Sequence, residues 1–146
     1  MKKNKLINII IFLSVLSVLI SVYLIYLHYS ANASSFCNIS EQLNCDVVNK
    51  SVYSKFPTGN GMPVSILGLL TFVTIFTIAL LMRINKIKRK ILEEGLFYLL
   101  VISFIFALYL FYVEAFILHS YCIFCLALDF LIILMLLISY NIKKTI

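Results

Sequence analysis

Four long runs of apolar residues constrain the fold of this chain more than any other feature. Each has about 18 or more residues with almost no charge, and about 20 helical residues cross the hydrocarbon core of a bilayer. They cover residues 6–28, 63–82, 95–118 and 122–140. A soluble domain of 146 residues could not bury a composition that is 63% hydrophobic. The sequence therefore predicts an all-α membrane protein, with one four-helix transmembrane domain over residues 1–146.

The basic residues are distributed unevenly around these spans. A net charge of +6 could indicate nucleic acid binding, but ten of the twelve Lys and Arg residues flank the same side: Lys2, Lys3, Lys5, Arg83, Lys86, Lys88, Arg89, Lys90, Lys143 and Lys144. Cytoplasmic loops are rich in Lys and Arg. We therefore expect a multi-pass protein of the cell membrane that contacts the lipid bilayer and no nucleic acid. Both termini and the 83–94 loop are expected in the cytoplasm, and the 29–62 loop outside.

All four cysteines fall on the predicted outer side. Cys37 and Cys45 form a C-x7-C pair in the outer loop, and Cys122 and Cys125 form a C-x-x-C pair at the head of the last span. Disulfides persist in that compartment. Three pairings of four cysteines are possible, and the sequence excludes none.

Several kinds of cysteine site are compatible with two pairs. A zinc site is disfavoured because C-x7-C is a poor match to the usual ligand spacing, so no metal is expected. Attached c-type haem requires C-x-x-C-H, and Leu126 occupies the His position. A non-catalytic scaffold with two structural disulfides stays open. A C-x-x-C pair within one helical turn favours exchange, in which the outer pair meets a water-soluble protein and the buried pair meets a membrane quinone.

The segment after Cys45 has helical periodicity. Cys45, Val48, Val52, Tyr53 and Phe56 fall on one face of an amphipathic helix. We expect a short amphipathic helix in the outer loop, lying over the outer mouth of the bundle. An ordinary surface helix is the alternative.

Polar residues inside the spans are candidates for function. Glu114 and Asp129 are carboxylates in predicted membrane helices, which are expensive there and often functional. Asp129 is expected on one helix face with Cys122 and Cys125, where it would handle protons. Alternatively, Glu114 snorkels to the interface and Asp129 bonds a neighbouring helix. His119 lies three residues before Cys122 and is a third candidate for proton handling, or else an interfacial anchor.

Small residues mark two further helix faces. Ser65 and Gly68 stand three residues apart at the start of the second span and predict either close packing or contact with a flat ligand. Ser14, Ser17 and Ser21 recur at helical spacing in the first span. That spacing is typical of close helix packing.

The ordered set of motifs resembles the vitamin K epoxide reductase family, specifically its microbial members that form disulfide bonds in exported proteins. The resemblance covers about residues 6–140. The matching residues are Cys37-x7-Cys45-Asp46, Ser51, Pro63-x-Ser65-x-x-Gly68, Glu114 and Cys122-x-x-Cys125.

The resemblance implies a four-helix bundle around a quinone of the menaquinone, ubiquinone or vitamin K type. Cys125 would then be the thiol beside the quinone, and Cys122 its partner. Cys45 would exchange with Cys122, and Cys37 would receive electrons from a thioredoxin-like protein. Ser51 would lie near the quinone, and Ser65, Gly68 and Asp129 are the other candidate contacts.

Three departures from the family pattern matter. Val64 stands where vertebrate members carry a quinone-binding Asn, and Asp129 stands where they carry a quinone-facing Tyr. The chain ends at Ile146, so we expect no fused thioredoxin domain and a separate exported thioredoxin-fold partner. The expected function is quinone-dependent reoxidation of that partner, which drives disulfide formation in secreted proteins. Reduction of vitamin K epoxide is the alternative within the same chemistry.

Overall fold

The computed structural model describes residues 2–29, 43, 48, 55–56, 61–84 and 88–144, and every structural statement below concerns these residues. They contain four long helices. These are α1 (Lys2–Tyr29), α2 (Val64–Ile84), α3 (Arg89–Tyr112), which continues as a π-helix (Val113–Leu118), and α4 (Ile123–Lys144).

All four helices are long and apolar enough to cross a membrane. The predicted fold class, an all-α membrane bundle, is confirmed. The third helix begins six residues before the predicted span, because its first turns carry Lys90, Glu93 and Glu94 and so lower the local hydropathy. Hydropathy marks the apolar run, and the helix extends beyond it.

The four helices form a ring. Both α1 and α3 pack against α2 and α4, so α2 and α4 occupy opposite corners of the bundle. The centre is apolar and formed by Ile7, Ile10, Phe72, Ile75, Met82, Leu96, Leu100, Met135 and Ile142. The outer faces are apolar too, as the exposed Phe12 and Ile102 show. Such surfaces suit helices that are surrounded by lipid.

Two short strands precede α2. β1 (Lys55–Phe56) pairs antiparallel with β2 (Met62–Pro63), and Phe56 lies opposite Met62. The predicted amphipathic helix is therefore wrong at Phe56, where pairing with the chain before α2 replaces the helical pattern. Val48 is helical and buried. The remaining positions of that predicted helix lie outside the described residues.

Basic residues meet polar partners at one end of the bundle. Lys3 Nζ lies 3.3 Å from Glu93 Oε1, and Arg89 Nη2 donates to Asn4 Oδ1 at 2.5 Å. Lys143 lies over the Phe97 ring, with Nζ 4.7 Å from its centroid. The predicted clustering of basic residues at one end is thus present among the described residues. The side of the membrane that this end faces stays a prediction.

Candidate functional site

A cavity of about 350 Å³ lies between the four helices. Its polar lining residues come from every helix and are Ser21, Ser65, Thr71, Ser103, Glu114, Cys125 and Asp129. Most of these lie toward the end of the bundle that carries Cys122, which we call the outer end. The rest of the lining is mainly apolar and includes Phe72, Leu99, Ile102, Phe106 and Ala107. The cavity therefore combines a mainly apolar wall with polar side chains from all four helices.

The cavity also reaches the surface of the bundle. Ile102 borders it and is 65% exposed. Ile102 lies near the middle of α3, away from the helix ends.

Cys122 and Cys125 differ in their contact with the cavity, although Cys125 also packs against the buried cluster that contains Cys122. Cys122 is fully buried in a cluster with Leu24, Leu27 and Val48. Val48 belongs to the 29–62 loop, so this cluster joins the loop to the bundle. Cys125 lines the cavity, and Cys122 does not. The pair thus connects the underside of the outer loop with the interior of the membrane domain.

The start of α4 fixes the two cysteines relative to each other. The Leu126 N–H donates to the Cys122 carbonyl at 2.9 Å, which is the first bond of the helix. The Cys125 N–H donates to Cys122 Sγ at 3.3 Å. Cys122 therefore takes the N-cap position, with its sulfur where a Ser or Asp oxygen commonly accepts a hydrogen bond. The cap keeps its sulfur next to Cys125.

Glu114 points inward and does not snorkel. Glu114 is only 2% exposed. Its Oε2 accepts a hydrogen bond of 3.4 Å from the backbone N–H of Cys122. A helix N-terminus presents N–H groups with no partner inside the helix. The carboxylate of Glu114 satisfies one of them, which explains its inward position. The π-helical turn that carries Glu114 is a feature often found at functional sites.

Asp129 lies on the cavity wall with Cys125, as predicted from their spacing. The expectation that Cys122 shares this face is wrong, because Cys122 precedes the first residue of α4 and faces the buried cluster instead. Glu114 and Asp129 line the same cavity from neighbouring helices. The site therefore combines one cavity-facing thiol with two carboxylates.

His119 lies apart from the cavity. It ends the π-helix with a left-handed backbone, φ 52° and ψ 27°, and its side chain is exposed. Tyr121 follows in a parallel β-bridge with Leu43 of the outer loop. The role of His119 in proton handling stays a prediction.

Ser65 and Gly68 both line the cavity. Of the remaining predicted site residues, Cys37, Cys45 and Ser51 lie outside the described residues. Ser21 also lines the cavity, although its spacing with Ser14 and Ser17 predicted only close helix packing. It stood among three equivalent serines, and only the position of the cavity distinguishes it from the other two.

Within the part of the chain that the structure describes, no group of three or more His, Cys, Asp or Glu side chains could hold a metal ion. The chemistry available to the described site is that of a thiol pair, carboxylates and hydroxyls next to an apolar space.

Comparison with protein-family models matches residues 8–140 to the vitamin K epoxide reductase family. Comparison with curated proteins gives no match. The family match covers nearly the whole chain and includes all four helices and all four cysteines. The chain therefore belongs to the vitamin K epoxide reductase family and is an integral membrane thiol oxidoreductase.

Proposed function

We propose that this protein oxidises the dithiol of a separate exported thioredoxin-fold protein and passes the electrons to a membrane quinone. Its partner would then introduce disulfides into secreted proteins. The observation that carries this proposal is the division of the C-x-x-C pair, in which Cys122 lies beneath the outer loop and Cys125 faces the cavity. A thiol pair in that position can accept electrons from one side and release them on the other.

On the loop side, two described contacts bring the outer loop to Cys122. Val48 packs in the same buried cluster, and Leu43 forms a backbone bridge with Tyr121, the residue next to Cys122. Cys45 follows Leu43 by two residues in the sequence, and two residues of chain span at most about 7 Å. A disulfide needs Cα atoms about 4.4–6.8 Å apart. These limits support exchange between Cys45 and Cys122.

On the cavity side, the lining residues suit a quinone. Ser21 and Ser65 have buried hydroxyl groups without a hydrogen-bond partner among the described residues, and they can donate to carbonyl oxygens. The apolar lining beyond them suits a ring substituent or an isoprenoid chain. When bound, a quinone supplies a two-electron acceptor, which matches the two electrons that a dithiol releases as it forms a disulfide.

The thiol steps balance as successive exchanges. As Cys122 and Cys125 form a disulfide, they release two electrons and two protons. The Cys45 thiolate then attacks Cys122 Sγ, which breaks the Cys122–Cys125 bond and releases Cys125 as a thiolate. Cys37 attacks Cys45, closes the loop disulfide and frees Cys122. The partner dithiol reduces the Cys37–Cys45 disulfide by the same exchange and becomes oxidised.

Glu114 and Asp129 are placed to hold the protons in this cycle. Both line the cavity with Cys125, and a carboxylate in hydrocarbon is retained at a cost in free energy, which is consistent with a functional role. We infer that Asp129 exchanges protons with Cys125. Glu114 also holds the backbone at Cys122.

We also propose that the protein lies in the cell membrane with both termini in the cytoplasm. The support is the cluster of basic residues at the helix ends opposite Cys122, because Lys and Arg concentrate on the cytoplasmic side. Protease digestion of intact spheroplasts should spare a C-terminal epitope tag and remove it only after lysis. Removal from intact spheroplasts would reverse the orientation.

The proposed function is tested with full-length protein in liposomes that contain ubiquinone or menaquinone. A reduced exported thioredoxin-fold protein is added, and loss of its thiols is followed together with quinone absorbance. We expect one quinone reduced for each dithiol oxidised, with no turnover in Cys125→Ser. Absence of turnover with any quinone, with Cys→Ser changes that lower only the unfolding temperature, would indicate a scaffold with structural disulfides. Turnover with vitamin K epoxide alone would indicate an epoxide reductase.

A further inference from the structure

Four hydroxyl side chains line the cavity, and they differ in how their hydrogen bonds are satisfied. Thr71 donates to the Leu67 carbonyl at 2.9 Å, and Ser103 donates to the Leu99 carbonyl at 2.8 Å. Ser21 and Ser65 have buried hydroxyl oxygens with no hydrogen-bond partner among the described residues. The unsatisfied pair lies on α1 and α2, toward the outer end, and the satisfied pair lies on deeper turns.

The serines of α1 give a comparison within one helix. Ser14 and Ser17 lie on the same buried face as Ser21, and each donates to a carbonyl of its own helix, Ile11 at 2.8 Å and Leu13 at 2.9 Å. Ser21 is 1% exposed and makes no such bond. Buried hydroxyl groups are nearly always hydrogen-bonded. Of the three, only Ser21 lines the cavity, so a partner for its hydroxyl is expected there.

Gly68 leaves the approach to Ser21 open. A Cβ atom at Gly68 would stand 3.9 Å from Ser21 Oγ, and both residues line the cavity. Ser65 lies one helical turn before Gly68 on the same face of α2. Two donor hydroxyls therefore border a space that no side chain at position 68 fills.

The two unsatisfied hydroxyls and the candidate reacting groups lie on different helices of the ring. Ser21 and Ser65 belong to α1 and α2, whereas Glu114 belongs to the π-helix after α3, and Cys125 and Asp129 belong to α4. A flat molecule that carries oxygen atoms on its ring would meet hydroxyl donors from α1 and α2 in the same cavity as Cys125 and the two carboxylates.

We propose that the Ser21 hydroxyl of α1 donates a hydrogen bond to a carbonyl oxygen of the bound quinone, and that Ser65 of α2 is a second donor in the same cavity. This inference rests on the proposed function and adds a binding residue from α1 to it. No bond to serine forms or breaks, because the hydroxyl acts only as a donor. The Val64 side chain beside Ser65 lines the cavity but offers no hydrogen-bond donor.

The test uses purified full-length protein under anaerobic conditions and a short-chain benzoquinone labelled with ¹³C at its carbonyl carbons. Equilibrium dialysis gives the dissociation constant, and infrared difference spectra give the carbonyl stretching frequency. Ser21→Ala should raise the dissociation constant about tenfold, which corresponds to one hydrogen bond. It should also move a carbonyl stretch to higher frequency, and Ser21→Thr, which keeps the hydroxyl, should restore both values.

Ser17→Ala is the matched control, because it removes a satisfied hydroxyl from the same face of the same helix. We expect it to leave both readouts at their wild-type values. Wild-type affinity and carbonyl frequency in Ser21→Ala would overturn the inference, as would equal changes in Ser17→Ala, which would indicate a packing effect. If the wild-type protein binds the quinone and oxidises a dithiol while Ser21→Ala is unaltered, only this inference fails. If the wild-type protein neither binds nor reduces a quinone, the proposed function fails with it.

Discussion

The carboxylate of Glu114 accepts a hydrogen bond from the backbone N–H of Cys122, with 3.4 Å between Oε2 and N. This contact joins the π-helical end of the third helix to the first residue of the C-x-x-C pair. It gives a buried carboxylate a partner and holds the cysteine at the N-cap of α4. One interaction therefore links a cavity-lining carboxylate to the start of the C-x-x-C pair.

Glu114→Ala should loosen the start of α4. The change leaves the buried Cys122 N–H without this acceptor, which costs about 1–3 kcal/mol in free energy of unfolding. Glu114→Gln keeps a carbonyl oxygen at the same place and should lose less. Thermal unfolding in detergent, together with the alkylation rate of Cys122, measures the effect. If Ala and Gln variants unfold alike and alkylate alike, the hydrogen bond does not hold this turn.

Gly68→Ala should weaken quinone binding without lowering the unfolding temperature. The new Cβ would meet Phe72 Cε2 and Ser21 Oγ at 3.9 Å, an ordinary contact, and replacing a helical glycine by alanine favours the helix by up to about 1 kcal/mol. The same substitution at Gly95, where nothing lies within 4 Å, is the control. Both variants should unfold at or above the wild-type temperature, but only Gly68→Ala should weaken quinone binding. Equal affinity in the two variants would count against a ligand at this wall.

Glu93→Gln should destabilise the basic end without altering catalysis. Glu93 is buried and lies 3.3 Å from Lys3 Nζ and 3.9 Å from Arg89 Nε. Loss of its charge removes the carboxylate that both cations face, at a cost of about 1–3 kcal/mol. Glu94→Gln, the neighbouring exposed residue, should change stability by less than about 0.5 kcal/mol. Turnover of folded protein should be unaltered, because Glu114 follows Glu93 by 21 helical positions, about 30 Å. Chemical denaturation of both variants measures the free energy of unfolding. An equal loss of stability in Glu94→Gln would contradict the role given to the Glu93 charge.

His119→Gly should be neutral or stabilising. A non-glycine residue with φ 52° bears a cost of about 1 kcal/mol that glycine avoids. Because the side chain is exposed and outside the cavity lining, we expect turnover to be retained. Unfolding temperature and dithiol oxidation rate measure the two effects. A folded variant that has lost turnover would instead support the role in proton handling that the sequence suggests.

The sequence predicted the parts of this molecule that depend on local properties. Apolar runs marked the four helices because the length of a membrane span is fixed by bilayer thickness. Spacing placed Cys125 and Asp129 on one wall because helical residues four apart share a face. The Lys and Arg residues cluster at one end of the bundle, and the sequence predicted this because each of them lies next to a boundary of an apolar run.

Residues whose roles depend on tertiary contacts could not be assigned in this way. Phe56 fits a helical pattern but pairs with Met62 in a strand. From the sequence, Glu114 could point outward or inward. It points inward, where its carboxylate accepts a hydrogen bond from the Cys122 N–H. Ser21 has the same spacing as Ser14 and Ser17, and only the cavity beside it gives its hydroxyl a different environment.

Trapping in the Cys37→Ala variant tests the electron relay most directly. Without Cys37, nothing in the loop resolves the mixed disulfide that forms when Cys45 attacks Cys122. Peptide mapping by mass spectrometry, after the quinone-oxidised protein has reacted with a reduced partner, should find the Cys45–Cys122 bridge. The Cys37→Ala/Cys122→Ser double variant should lack it. If Cys37→Ala shows only a Cys122–Cys125 bridge with Cys45 free in every redox state, electrons do not pass from the loop to the membrane pair, and the relay is wrong.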